Sequence, residues 1–148
     1  MRGLLEESFR AAVAAADPPK ILAPYLPAPP RGRTFVAAAG KAAASMALAA
    51  EKSYRGELEG IAITRYGHGL PTRKIRVVEA GHPVPDEAGE AAAREILTRV
   101  KGLKENDLLL ALLSGGGSSL LSLPAHDISM EELKSVTRDL LRSGAAIQ

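Results

Sequence analysis

Apolar positions change their period several times along the chain, and those changes divide it into elements. Leu4, Leu5, Phe9, Ala12, Val13 and Ala16 recur at three- and four-residue steps with Glu6, Glu7 and Arg10 on the opposite face, which predicts an amphipathic first helix. Pro18-Pro19 ends it, and the stretch from Pro24 to Gly32 is too rich in proline for helix or strand, so it is expected to cross the surface as an ordered loop. Thr34 to Gly40 is a buried-strand pattern, and Lys41 to Glu51 follows as a helix of high intrinsic propensity. Gly60 to Thr64 and Lys74 to Glu79 read as two short strands around the Arg65-to-Pro71 loop. A parallel crossover usually needs about 10 to 12 residues. These two strands are therefore expected either not to be neighbours or to pair antiparallel.

The second half repeats the alternation. A helix is predicted from Pro85-Asp86 to about Lys101, with Ala88, Ala92, Ile96 and Val100 on one stripe, Asp86 as N-cap and Gly102 past the end. The unbroken run Leu108 to Leu113 is what a strand covered on both faces of a parallel sheet looks like, and it leads into three glycines and a helix start. Ser129 to Glu132 is a capping box opening a last helix, whose Met130, Leu133, Val136, Leu140 and Leu141 are expected to face inward until Gly144 stops it. Strands alternating with helices predict a three-layer α/β/α fold on a mostly parallel sheet with right-handed crossovers. It forms a single α/β domain over residues 1–148, without internal repeats. In such sheets ligands lie beyond the carboxyl ends of the strands, the edge on which both Gly40-Lys41 and Ser114 to Ser119 fall.

Composition removes several classes of function. With 19 basic against 17 acidic residues the net charge is only +2, and three Tyr, two Phe and no Trp leave little to stack on bases, so no nucleic-acid role is expected. No apolar run approaches the roughly 18 residues of a membrane span, and Met1 to Glu7 turns acidic too early for a signal peptide. The expectation is a cytoplasmic protein away from membranes. With no cysteine, disulfide and thiolate chemistry are excluded.

The candidate chemistry sits in two turns. Gly115-x-Gly117-x-x-Leu120 carries two thirds of a dinucleotide fingerprint but has Leu for the third glycine. A Walker loop fails because Phe35 stands where its first glycine belongs, and a nucleophile elbow fails because Leu112 replaces the leading glycine. What remains at Ser114, Gly115, Gly116, Gly117, Ser118 and Ser119 is either a packing turn or a cradle of backbone N–H groups and hydroxyls for an anion. Lys41 opens a helix with its charge opposed to the macrodipole and no capping residue before it. Either an anion lies nearby or the ammonium points to solvent. His82-Pro-Val-Pro-Asp86 is either an extended strand exit, with Asp86 capping and His82 bonded to backbone, or part of the site. His68, His126 and Asp127 read as solvated. No His, Asp and Glu spacing makes a metal cage, so a metal would arrive with a substrate.

Gly40-Lys41-Ala42-Ala43 with Met46, then Gly81-His82-Pro83-Val84-Pro85-Asp86, then Ser114-Gly115-Gly116-Gly117-Ser118-Ser119, in this order and spacing, resemble the N-terminal part of the class II glycerate kinases, whose members are also often labelled hydroxypyruvate reductases. The resemblance implies ATP- and Mg2+-dependent phosphorylation of D-glycerate in a cleft between a Rossmann-like domain and a smaller C-terminal one. It places the family's lysine, with a catalytic role, on Lys41, and the anion-binding positions on Gly40, His82 and Ser114 to Ser119. That family's chains are much longer. The expectation is a fragment lacking the second domain and an arginine thought to act in the family, inactive alone, with a homodimer as one admissible assembly. The alternatives are an NAD(P)H-dependent hydroxypyruvate reductase and a non-catalytic phosphosugar-binding module.

Overall fold

The computed structural model describes residues 1–144. Four strands form one sheet in the order β3-β2-β1-β4, all parallel: β1 (Thr34–Ala39), β2 (Leu58–Arg65), β3 (Ile75–Ala80) and β4 (Leu108–Leu113). The helices are α1 (Arg2–Ala15), α2 (Pro18–Ile21), α3 (Ala43–Ser53), α4 (Glu87–Lys101), α5 (Gly117–Leu120) and α6 (Met130–Ser143). The proline-rich loop is not wholly irregular, since Ala23–Tyr25 closes a 3-10 turn.

Alternation along the strands sends side chains into two cores. Val36, Ala38, Leu58, Ala62, Ile75 and Leu112 meet Ala43, Ala47 and Ala50 of α3 on one face. Phe35, Ile61, Ile63 and Ala80 meet Ala92 and Ile96 of α4, with Leu120, on the other. The small residues of α3 bring its backbone close to the sheet, and the stripe Ala88, Ala92, Ile96, Val100 packs as expected. Asp86 caps α4 by accepting from the Gly89 N–H (3.0 Å), and Ser129 and Glu132 form both halves of the capping box on α6.

Three expectations are corrected. First, β2 and β3 are adjacent and parallel, with Gly60 opposite Ile75 and Arg65 opposite Ala80. Their connection, residues 66–74, contains no helix: it opens with a turn at Tyr66-Gly67, continues without regular structure and bends at Arg73-Lys74. Nine extended residues reach about 30 Å, against roughly 17 Å for a five-residue return along the strand. Glu51, near the end of α3, anchors this connection by accepting from the N–H groups of Arg73, Lys74 and Ile75 at 2.7–3.0 Å. Second, among the described residues β4 is an edge strand that pairs only with β1, and Leu109 and Leu113 are exposed, so its apolar run is not covered on both faces. Third, of the residues expected to face inward on α6, Met130 is buried and Leu133 half-buried, whereas Val136, Leu140 and Leu141 are more than half exposed. A buried lysine docks this helix instead: Lys134 donates to Glu87 at the start of α4 and to Glu131 (2.9 Å).

Candidate functional site

Strand order decides where a ligand can sit. The chain steps from β1 outward through β2 to β3, then crosses the sheet to β4 on the other side of β1. The connections leaving β1 and β4 therefore depart to opposite faces, to α3 and to α5, and open a crevice between the carboxyl ends of these strands. Ala39 is level with Leu113, so the next residues, Gly40 and Ser114, meet at that crevice.

The two turns brace each other. The Ser114 N–H donates to the Ala39 carbonyl (3.0 Å), the Lys41 N–H donates to the Gly115 carbonyl (2.9 Å), and the Ala42 N–H donates to Ser114 Oγ (3.0 Å). Ala42 is the N-cap of α3 and its own side chain caps nothing, but a serine on the other turn satisfies its N–H. Gly40 has φ +124°, and a Cβ there would lie 2.2 Å from Ser114 Oγ, so only glycine allows the approach. The helix begins at Ala43, which leaves Lys41 in the turn before it instead of in its first turn.

Lys41 and His82 both converge on the glycines. A Cβ on Gly115 would stand 3.8 Å from Lys41 Nζ, and one on Gly116, at φ +88°, would stand 2.6 Å from His82 Nε2 and 3.5 Å from Lys41 Cγ. The imidazole edge and the lysine stem thus occupy the space that a side chain at 116 would fill. Lys41 has no carboxylate partner and His82 no hydrogen bond among the described residues, so the expected backbone bond to His82 is not formed. Beside them, the N–H groups of Gly115, Gly116, Ser118 and Ser119 find no acceptor among the described residues. The hydroxyls divide. Ser119 donates to the Gly116 carbonyl (3.3 Å) and Ser114 accepts from Ala42, while Ser118 is exposed without a protein partner among the described residues. An open cleft of about 430 Å³ is lined by Leu113, Ser114, Gly116, Gly117, Ser118 and Leu121; Lys41 and His82 are not among its lining. Such a constellation of unpaired N–H donors and one ammonium suits anions.

Asp86 and Tyr66 hold the neighbouring turn. The Tyr66 hydroxyl donates to Asp86 Oδ2 (2.7 Å), which raises the phenol above its usual value. Partial burial pushes the Asp86 carboxyl up. The N–H groups of Gly89 and Gly81 and the Tyr66 hydroxyl outweigh that and hold it below the usual carboxylate range. Thr64, fully buried, donates from its hydroxyl to the Lys41 carbonyl (3.4 Å). Motif reading missed Tyr66 and Thr64; the signal was their position at the carboxyl end of β2. His126 and Asp127 are exposed, as expected, and no group of three or more His, Cys, Asp or Glu among the described residues could hold a metal.

Residues 4–148 match the family described as a domain of unknown function, DUF4147. The chain belongs to this family. It is 47% identical over 147 residues to a putative hydroxypyruvate reductase of Agrobacterium vitis, covering 99% of this chain and 34% of that one. It is 40% identical over 150 residues to a D-glycerate 2-kinase of Thermotoga maritima, covering 100% and 36%. Among solved structures, a glycerate kinase from Thermotoga maritima superposes with a TM-score of 0.77 at 40% identity, over 98% of this chain and 36% of that one. The chain thus spans about a third of the length of the relatives it matches. The glycerate kinase resemblance read from the three motifs agrees with these names, and the three-layer α/β fold on a parallel sheet agrees with the solved glycerate kinase structure.

Proposed function

We propose that this chain supplies one wall of the anion-binding cleft of a glycerate kinase, an enzyme that phosphorylates D-glycerate at the expense of ATP. The observation that carries the reading is the convergence of Lys41 on the Gly115-Gly116 turn at the switch point of a parallel sheet. Phosphoryl transfer asks for positioning and for neutralisation of negative charge spread over the transferred group, with little covalent chemistry from the protein. Lys41 meets that need as an unpaired ammonium held by a braced turn, contacting either the transferred phosphate or the glycerate carboxylate. Gly40 lets the two turns close. Within the turn Ser114 to Ser119, the N–H groups of Gly115, Gly116, Ser118 and Ser119 and the Ser118 hydroxyl are open to the other anion, and His82 sits within reach of the same turn.

These donors fit the phosphates of a nucleotide. They do not fit a bare metal ion, since no carboxylate cluster stands among the described residues. Magnesium in this reading enters on the nucleotide and offsets its phosphate charge. The reading belongs to the cytoplasm and leaves a homodimer open; no described helix is long and apolar enough to cross a membrane. A reductase is less well supported, because Leu120, at the third glycine position of the dinucleotide fingerprint, is fully buried against the α4 side of the sheet.

The test is substrate choice by the whole protein. ADP should form with ATP, Mg2+ and D-glycerate, and NADH absorbance should not fall with hydroxypyruvate. NADH loss without ADP formation would replace the kinase by the reductase, and ligand binding without either turnover would favour a phosphosugar-binding module.

A further inference from the structure

At the carboxyl end of β2 the chain presents a second cation that the motifs do not include. Arg65 is the last residue of the strand, exposed, and level with Ala80 of β3, two residues before His82. It follows Thr64, whose hydroxyl reaches the Lys41 carbonyl, so its backbone is tied to the turn that carries Lys41. The carboxylates of the adjoining turns are already engaged. Asp86 accepts from Tyr66 and from the Gly89 N–H, and Glu79 accepts from the Gly69 N–H (2.7 Å). Arg65 itself has no ion pair or side-chain hydrogen bond among the described residues, a state it shares with Arg73 at the other rim. The Tyr66–Asp86 and Gly69–Glu79 hydrogen bonds also fix the loop that begins at Tyr66, so the arginine stands on an anchored support. Lys41 and Arg65 thus stand on one rim as two cations without an ion pair among the described residues, while Asp86 and Glu79 are oriented toward the neutral donors of these turns.

We infer that Arg65 is a further anion-binding residue of this site, gripping the phosphate or carboxylate oxygens of the ligand alongside Lys41. The inference rests on the reading of the cleft as an anion site. A guanidinium suits the task because its planar fork meets two oxygens at once.

The experiment uses the whole protein and three calorimetric titrations, with tripolyphosphate, ATP and D-glycerate, on the wild type, Arg65→Gln, Arg65→Lys and the control Arg73→Gln. Arg73 lies at the opposite rim, just before β3. Arg65→Gln should bind at least one anion about tenfold more weakly, the scale of losing a charged hydrogen bond, while Arg73→Gln binds as the wild type does. Arg65→Lys should recover part of the affinity. Weakened tripolyphosphate and ATP binding would assign Arg65 to the phosphates; weakened D-glycerate binding alone would assign it to the carboxylate. Unchanged affinity for all three in Arg65→Gln overturns the inference, whether or not the wild type turns over. A wild type that binds these anions without phosphorylating glycerate would instead overturn the kinase reading and leave Arg65 judged by its own titrations. A wild type that binds none of them overturns both.

Discussion

Gly116 is the residue on which the geometry of the site turns. Its backbone lies in the left-handed region and the His82 ring fills the place of its missing side chain. Gly116→Ala should therefore cost about 1 to 2 kcal/mol for the backbone alone, and should displace His82. Thermal unfolding and ATP titration of the same variant would check both, and an unchanged ATP affinity would remove His82 and Gly116 from the site. Ser114→Ala should lower stability by about 1 kcal/mol, because the Ala42 N–H at the start of α3 loses its acceptor. At this scale the sequence displayed the problem and concealed its answer. Lys41-Ala42 visibly precedes a helix with no local capping side chain, but the serine that accepts from the Ala42 N–H is 72 residues away, a separation that periodicity cannot bridge.

Among the elements, the β2 to β3 connection shows how a rule of loop length fails. The rule assumes a helix in the crossover, and here a helix-free segment is pinned at its far end by one carboxylate. Burial pushes the Glu51 carboxyl up, yet the three N–H groups of Arg73, Ile75 and Lys74 bring it below the usual range. Its folded value is lower than its unfolded one, so in acid the unfolded chain binds the extra proton. The stabilisation is thus complete above the ordinary glutamate range, near pH 4.3, and is lost as the pH falls below it. Asp86 acts with the same sign. Glu51→Gln should flatten the acid limb of a stability-against-pH curve measured by urea unfolding, and Glu51→Ala should cost roughly 1 to 3 kcal/mol at neutral pH. An Ala variant as stable as the wild type would mean that the connection holds itself. By contrast α4 was legible from end to end, because its cap, its stripe and its stop are all local.

Over the whole molecule the apolar pattern identified faces but not what covers them. The hydrophobic stripe of α1 is present as read, yet Leu4, Leu5 and Phe9 are each about two-thirds exposed or more, and Val136, Leu140 and Leu141 of α6 and Leu113 of β4 are likewise open. Amphipathic spacing reports that a stripe needs a partner, and the partner is not encoded in the spacing. So much exposed apolar surface predicts that residues 1–148, prepared alone at micromolar concentration, self-associate. Sedimentation would show this, and replacing Leu109 and Leu113 by Ser should reduce it; a strictly monomeric wild type would contradict the prediction. The site fares better, since both of its turns follow strands that the sequence made plain, and parallel pairing of β1 with β4 then brings them together without further information.

The central claim is that Lys41 and the glycine turn act on one phosphoryl transfer, and the most direct measurement is D-glycerate-dependent ADP release by the whole protein with Lys41→Ala. Loss of one preorganised charge donor removes about 2 to 4 kcal/mol of transition-state stabilisation. The expected result is therefore a kcat/KM about 30- to 1000-fold below wild type, with the protein still folded by circular dichroism. Turnover of the alanine variant at the wild-type rate would contradict the account.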